Sequence, residues 1–310
     1  ALHLLDNLSD ELFDCISPSL LKDKPNSYTY SKQLSEALID QWKTELPLCI
    51  VRPAVITGAA NDPIPGFVDN FTGMSGILAG IMTGCIHTLH FNDEFRLDTV
   101  PVDYVVNLIL AAACRRAKTS KRSELQIYNL TSYENPLHLN AITHIIENFS
   151  YENPFRKTVT YPYIYFITNK TIYTLSCFCF HRLPAICFDV VARAMGQKKM
   201  FKPIYEKVGK NIDVLEYFTS NKWTIRNENT KALYDSLSPQ DKRVFNFNVH
   251  DIDWLKYTWN YLSGIRAYVL KETDHYQDGW KKLLKLRAFD LVLKLFLALP
   301  VVLAVLLWHI

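Results

Sequence analysis

Tyr28 and Lys32 stand four residues apart in this chain, and their side chains could together carry out acid–base chemistry. The apolar residues that follow recur at helical spacing and predict a helix from about Ser27 to Trp42. On that helix Tyr28 and Lys32 lie one turn apart on the same face, and Tyr30 points elsewhere. A tyrosine hydroxyl titrates near pH 10 in water, so it gives up a proton at neutral pH only where a neighbour such as an ammonium stabilises the phenolate. The pair would therefore serve as a general acid for a carbonyl oxygen that receives a hydride.

A short apolar run downstream gives this pair its structural setting. Residues 48–51 predict a buried strand of a parallel sheet, which runs into the segment 52–58. Helix, strand and loop in this order are typical of an α/β domain. Ligands of open α/β sheets bind beyond the carboxyl ends of the strands, so the predicted loop Pro53 to Gly58 lies where a cofactor ring could rest. Without this setting, the Tyr-x-x-x-Lys spacing also fits a chance match on a solvated helix.

Blocks of residues along the whole chain resemble one known family. They are residues 25–32, 51–56, 63–70 and 100–107, the glycines at 73, 76 and 84, the distal blocks 181–185, 217–219, 245–247 and 252–254, and Trp223. In this order they resemble the alcohol-forming fatty acyl-CoA reductases, which are extended members of the short-chain dehydrogenase/reductase group. The ordered series is far more specific than the Tyr-x-x-x-Lys motif alone.

The resemblance implies a reaction and a role for each site residue. Tyr28 would protonate the substrate oxygen, and Lys32 would stabilise the phenolate while bonding the nicotinamide ribose. The loop from Pro53 through Val55 to Ile56 would face the nicotinamide. Enzymes of this family use two NADPH to take a long-chain fatty acyl-CoA through a bound aldehyde to a primary alcohol, and they release coenzyme A.

The resemblance and the patterns along the chain together divide it into four parts. Residues 1–150 are expected to form the C-terminal part of a Rossmann-type, doubly wound α/β domain that binds NADPH. Residues 151–195 form an apolar connector, and residues 196–280 form the mostly helical C-terminal domain of the family. Residues 286–310 are expected to be a transmembrane tail.

Local patterns predict further elements inside these parts. A helix is predicted from Val102 to about Ala117, with Asp103 as its cap, and a strand at residues 126–130. Beyond Asn153 the pattern predicts helices, one of them beginning at Ser238-Pro239.

Two expected parts of a reductase site have no counterpart in the sequence. It contains no Gly-x-x-Gly-x-x-Gly between a first strand and helix to hold a pyrophosphate. We therefore expect the chain to be part of a longer protein and to bind NADPH poorly alone. Ser9, Ser17, Ser19 and Ser27 precede the tyrosine, but none is assigned as the catalytic serine, and Ser17-Pro18-Ser19 is expected to be a loop.

Composition argues against several other classes of partner. The net charge is +3 and no basic stripe with interleaved aromatic residues is present, so we expect no nucleic acid. The seven cysteines show no Cys-x-x-Cys and the nine histidines show no His-x-x-x-His beside a carboxylate, so we expect reduced thiols and no metal site. The sequence says nothing about the oligomeric state.

The C-terminal end has the pattern of a membrane anchor. Basic residues at 281, 282, 285 and 287 precede sixteen residues, 295–310, that carry no formal charge. Sixteen helical residues span about 24 Å of a hydrocarbon core of about 30 Å, and residues 289–294 add enough length if Lys294 snorkels to the headgroups. The basic flank places the body of the protein in the cytosol. We expect a tail anchor in the endoplasmic reticulum or the peroxisome, with a core helix as the alternative.

Two interpretations of the apolar connector stay open. Residues 161–167 and 175–180 are apolar and aromatic, and the polar segment 168–171 interrupts them. They fit either a buried helical segment or an interfacial surface that collects acyl chains from the bilayer.

Two rival functions also stay open. A catalytically silent, membrane-anchored paralogue could keep the fold as an interaction protein. A membrane-bound sterol dehydrogenase would share Tyr-x-x-x-Lys but would not account for the helical segment from Trp223 to Trp254.

Overall fold

The computed structural model describes residues 9–21, 24–91, 97–119, 124–194, 223–272 and 279–308, together with residues 196, 209, 217, 218 and 221. In chain order the elements are α1 (Asp10–Leu21), α2 (Ser27–Gln41), β1 (Cys49–Pro53), β2 (Val55–Thr57), α3 (Gly73–Met82), β3 (Thr88–His90), β4 (Thr99–Pro101), α4 (Val102–Ala117), β5 (Gln126–Leu130), α5 (Leu139–Glu152), β6 (Tyr165–Ile167), α6 (Lys170–Cys177), α7 (Leu183–Ala194), α8 (Glu228–Asp235), α9 (Pro239–Val244), α10 (Trp254–Gly264) and α11 (Gly279–Trp308). The fold is mixed α/β and Rossmann-like, as predicted.

Helix α2 begins where its sequence predicts. The Asn26 side chain accepts a hydrogen bond from the backbone N–H of Thr29 at 3.0 Å, which satisfies one of the free donors of the first turn. The predicted helix α4 and strand β5 are also confirmed. The predicted loop at Ser17-Pro18-Ser19 is wrong, because these residues lie inside α1. Apolar residues at 12, 16 and 20 recur one turn apart there and outweigh the local effect of the proline.

The strands form parallel pairs. Strand β1 pairs with β5, β2 with β4, and β3 with β6. The chain passes from the first pair to the second at Ala54, whose N–H donates to Leu130 O at 2.8 Å before the N–H of Val55 donates to Asp98 O at 3.1 Å. The predicted loop from Pro53 to Gly58 is therefore wrong over residues 55–57, where backbone donors find acceptors on a neighbouring strand.

Strand β6 also departs from the prediction that only helices follow Asn153. Tyr165 to Ile167 pair in parallel with Thr88 to His90, and the N–H of Tyr165 donates to His87 O at 2.8 Å. Aromatic and β-branched residues of this kind favour a half-buried strand, and a paired neighbour was available to them.

The buried residues form two hydrophobic cores, and helix α10 contributes to both. Tyr261 and Leu262 lie in the first core, with α3, β3 and α5, whereas Tyr257 lies in the second, with α4, β4 and β5. Trp254 packs against both. All seven cysteines carry free thiols. Residues 197–208, 210–216 and 273–278 of the predicted helical domain lie outside the described residues, and the predicted boundaries between domains stay predictions.

Helix α11 begins against the body of the protein. Leu283 is buried, Lys282 Nζ donates to Arg156 O at 2.6 Å, and Lys294 Nζ lies 3.7 Å from the centroid of the Tyr163 ring. Most side chains beyond Leu295 lie outside the described part of the chain, as do residues 309 and 310. Within the part that is described, no helix has the length and apolar character needed to cross a bilayer.

Candidate active site

Helix α2 carries the predicted acid–base pair on one face. Lys32 Nζ lies 5.6 Å from the centroid of the Tyr28 ring, which confirms that the two side chains meet one turn apart. The Tyr28 side chain is 64% exposed, so its hydroxyl is open to a ligand. The backbone of Tyr28 is also held, because Ser31 Oγ donates to Tyr28 O at 2.9 Å.

An ion pair joins this helix to strand β1. Arg52 Nε donates to Glu36 Oε1 at 2.8 Å, and Arg52 Nη2 contacts Glu36 Oε2 as well, so the guanidinium and carboxylate meet through two parallel bonds. The hydrogen bond from Arg52 lowers the pKa of Glu36, against a smaller opposing effect of burial. The same bond raises the pKa of Arg52. Both groups therefore stay charged over a wide pH range.

The ion pair fixes where Tyr28 lies relative to the sheet. Glu36 follows Lys32 by one turn and Tyr28 by two turns, so Tyr28 is about 12 Å along the helix from the bridge. The turn at residues 42–48 joins the end of α2 to the start of β1, so the helix runs against the strand. The N-terminal end of α2 and the carboxyl end of β1 consequently lie at the same edge, where ligands of such sheets bind.

Pro53, Val55 and Ile56 lie at or just beyond that edge. Val55 and Ile56 have exposed side chains, and Pro53 has no N–H to donate. An exposed apolar strand offers the kind of face that a nicotinamide ring would need. The roles of these three residues, and those of Tyr28 and Lys32, stay predictions.

Asp103 corrects the prediction of a helix cap. Its Oδ1 accepts from the N–H of Ala60 at 2.9 Å, and its Oδ2 accepts from the N–H groups of Asn61 at 2.9 Å and Asp62 at 3.2 Å. The carboxylate is thus used to hold a distant loop, because three converging backbone donors form a better anion site than the single donors of its own helix. Helix α4 begins after Pro101 without a side-chain cap.

Sequence reasoning missed the two charged residues that orient α2. A signal was present, because Arg52 interrupts an apolar strand of a parallel pair, where apolar residues are the rule. Such a residue needs a partner of opposite charge. The sequence offers no way to choose Glu36 from the other carboxylates of the helix and the turn after it.

The ion pair gives a pH-dependent prediction. At pH 7 the Glu36→Gln variant should lose less than about 1 kcal/mol of unfolding free energy, since both partners are partly exposed. Because folded Glu36 has a lowered pKa, its contribution is complete above the pKa of an unfolded glutamate, about 4.3, and is lost as the pH falls through the lowered value. The difference between parent and variant should therefore shrink in acid.

Urea unfolding followed by circular dichroism at neutral and acidic pH measures this difference. Glu45→Gln, at an exposed glutamate in the turn after α2, is the matched control. Equal stability losses for the two variants at pH 7 would contradict a structural role for the ion pair.

Comparison with known proteins identifies the relatives of this chain. Two family models described as male sterility protein match the chain, an NAD-binding model over residues 4–109 and a second model over residues 180–272. Fatty acyl-CoA reductase 1 of Xenopus laevis is 36% identical over 270 residues, which are 86% of this chain and 52% of that protein. Fatty acyl-CoA reductase 1 of Gallus gallus is 35% identical over 270 residues, with the same coverage of both chains.

Fatty acyl-CoA reductase 2 of Homo sapiens is 34% identical over 273 residues, again 86% of this chain and 52% of that protein. The chain thus spans about half the length of the curated relatives it matches. The matched regions include the Tyr28 helix, strand β1 and helix α10. The chain belongs to the fatty acyl-CoA reductase family.

Proposed function

We propose that the protein carrying this chain reduces long-chain fatty acyl-CoA to a primary alcohol with NADPH, through an aldehyde, and releases coenzyme A. One observation carries the proposal: Tyr28 and Lys32 meet on one face of a helix that the Glu36–Arg52 ion pair joins to strand β1. The names of the relatives supply the substrate class. The NAD-binding model supports a nicotinamide dinucleotide.

The residues of this chain account for the proton transfers of such a reaction. NADPH, when bound, supplies hydride to the carbonyl carbon. The Tyr28 phenol donates its proton to the oxygen of that carbonyl, and the Lys32 ammonium stabilises the phenolate that remains and bonds the ribose. In the first round the hydroxyl proton of the adduct then returns to the Tyr28 phenolate as the carbon–sulfur bond breaks, the thiolate leaves with the electron pair and takes a proton from water as coenzyme A, and an aldehyde remains. In the second round the same proton donation completes the alcohol.

The Tyr28 assignment predicts a loss of product without a loss of protein. In cells that express the complete protein, Tyr28→Phe should lower fatty alcohol, measured by mass spectrometry, by roughly a hundredfold or more, because a general acid contributes about 10²- to 10⁴-fold. Tyr30→Phe is the matched control, since it removes the same atom from the same helix on another face.

Alcohol production that survives Tyr28→Phe would remove the assignment of the general acid. No alcohol from the parent protein at normal expression would favour the silent paralogue instead.

We also propose that residues 286–310 anchor the protein in a membrane of the endoplasmic reticulum or the peroxisome, with the reductase domain in the cytosol. The support lies in the sequence pattern and in the exposed apolar side chains of α11 that precede the uncharged run, Phe289, Val292 and Leu295.

The connector adds a second apolar surface. Ile172, Leu175 and Phe178 are exposed on and just after α6, and the nearby cations Lys170 and Arg182 are exposed too. These features favour the interfacial interpretation of the connector, in which the helix lies on the headgroups.

The proposed anchor predicts that alkaline carbonate releases a shortened chain from membranes but not the complete protein. Membranes from cells that express the complete protein should retain it after alkaline carbonate, whereas a chain ending at Leu295 should be released. This end point keeps Leu283 and Lys294, so the contacts of α11 with the body stay in place. Release of the complete protein, or retention of both chains, would contradict an anchor at the C-terminus.

A further inference from the structure

Helix α10 reaches across the molecule to the end of strand β2. The hydroxyl of Tyr257 lies 2.6 Å from Thr57 Oγ1 and donates to Gly58 O at 2.7 Å. These contacts join residues about 200 positions apart in the sequence. Tyr257 is buried, as is Thr57, so water does not compete for either bond.

Two hydroxyl protons serve three contacts here. The Gly58 carbonyl can only accept, and it takes the single proton of the Tyr257 phenol. The single proton of Thr57 has two acceptors within reach, the phenol oxygen at 2.6 Å and Val100 O at 3.2 Å. Burial raises the pKa of Tyr257 well above its ordinary value, so the phenol keeps the proton that this arrangement needs.

The loop that follows β2 is held on its other side by Asp103. The carboxylate accepts hydrogen bonds from the N–H groups of residues 60–62. Two backbone hydrogen bonds join the two ends of the loop: Ala59 N–H donates to Phe67 O at 3.0 Å, and Gly66 N–H donates to Ala59 O at 2.8 Å. The tip, residues 61–65, is exposed. The loop 58–67 is thus fixed at its base and open at its tip.

Backbone contact ties this loop directly to α10. A Cβ at Gly264 would lie 1.7 Å from Gly66 O, and a Cβ at Gly66 would lie 2.0 Å from Asn260 O. Gly66 also has a φ of +81°, which favours glycine. Because the two backbones touch with no side chain between them, the loop cannot shift without a shift of the helix.

We propose that Tyr257 is a positioning residue of the reductase site, which acts through Thr57 and Gly58 to set the end of β2 and the loop 58–67 as one wall of the site. The proposal rests on the proposed function. Val55 and Ile56, which are assigned to the nicotinamide face, immediately precede Thr57 on the same short strand. A displacement of about 1 Å at a reacting centre can cost roughly a hundredfold in rate, so this anchor would matter for turnover.

The bond between Tyr261 and Ser75 offers a matched control. Tyr261 lies one turn along α10 from Tyr257 and is also buried, and its hydroxyl pairs with Ser75 Oγ of helix α3 at 2.7 Å. The Tyr261 hydroxyl also bonds the backbone of Gly58, and its ring packs where a Cβ of Gly58 would be, so Tyr261 itself touches the loop 58–67. Ser75→Ala removes a buried hydroxyl bond of the same kind on α3 and leaves the Tyr261 phenol in place.

The experiment compares four single variants of the complete protein, Tyr257→Phe, Ser75→Ala, Thr57→Val and Thr57→Ser, and one double variant. The measurements are kcat and KM for acyl-CoA and NADPH, and hydrogen–deuterium exchange of residues 58–66 without substrate. Tyr257→Phe and Thr57→Val should lower kcat/KM by roughly tenfold to a hundredfold and speed exchange of the loop. Ser75→Ala and Thr57→Ser should stay near the parent in both. The double variant Tyr257→Phe/Thr57→Val should be no worse than Tyr257→Phe alone, because Tyr257→Phe already removes the bond between Tyr257 and Thr57.

Two results would overturn the proposal. One is equal loss of kcat/KM and equal loop exchange in Tyr257→Phe and Ser75→Ala, which would mean that any lost buried bond has the same effect. The other is failure of Thr57→Ser to restore what Thr57→Val removes. If the parent protein reduces no acyl-CoA, the proposed function fails, but the exchange comparison still decides whether Tyr257 fixes the loop.

Discussion

Helix α10 is the element on which the rest of the structure depends, because it is the only part of the described helical segment beyond residue 223 that enters both hydrophobic cores. Tyr261 and Leu262 face one core and Tyr257 faces the other. The backbone of the helix meets the loop 58–67 at Gly264 and Gly66. A helix with these contacts links the α/β part to the helical part. The positions of the strand ends therefore depend on the position of α10.

A much weaker interaction orients the acid–base pair. The Glu36–Arg52 pair is partly exposed, and pairs of this kind contribute less than about 1 kcal/mol to stability. Its value is geometric, because two parallel bonds between planar groups fix the register of α2 against β1. The cores therefore supply the stability, and the ion pair supplies the alignment of Tyr28 and Lys32 with the edge of the sheet.

Local features of this fold could be predicted from the sequence, and long-range ones could not. Helix α2 and the meeting of Tyr28 with Lys32 follow from spacing within one helix, and α4 and β5 follow from equally local patterns. Strand β2 has three residues and exists because β4 lies beside it. The hydrogen-bond partners of Asp103 lie 41 to 43 residues away in the sequence. The local pattern of a helix start therefore predicted, wrongly, that this carboxylate caps its own helix.

The central proposal is that this chain belongs to an enzyme that delivers two hydrides to one carbonyl carbon. The most direct test supplies the complete protein with acyl-CoA and NADPH that carries deuterium at the transferred position of its nicotinamide ring, and determines the label in the alcohol by mass spectrometry. The account predicts two deuterium atoms on the carbon that bears the hydroxyl. Alcohol without deuterium on that carbon would contradict it.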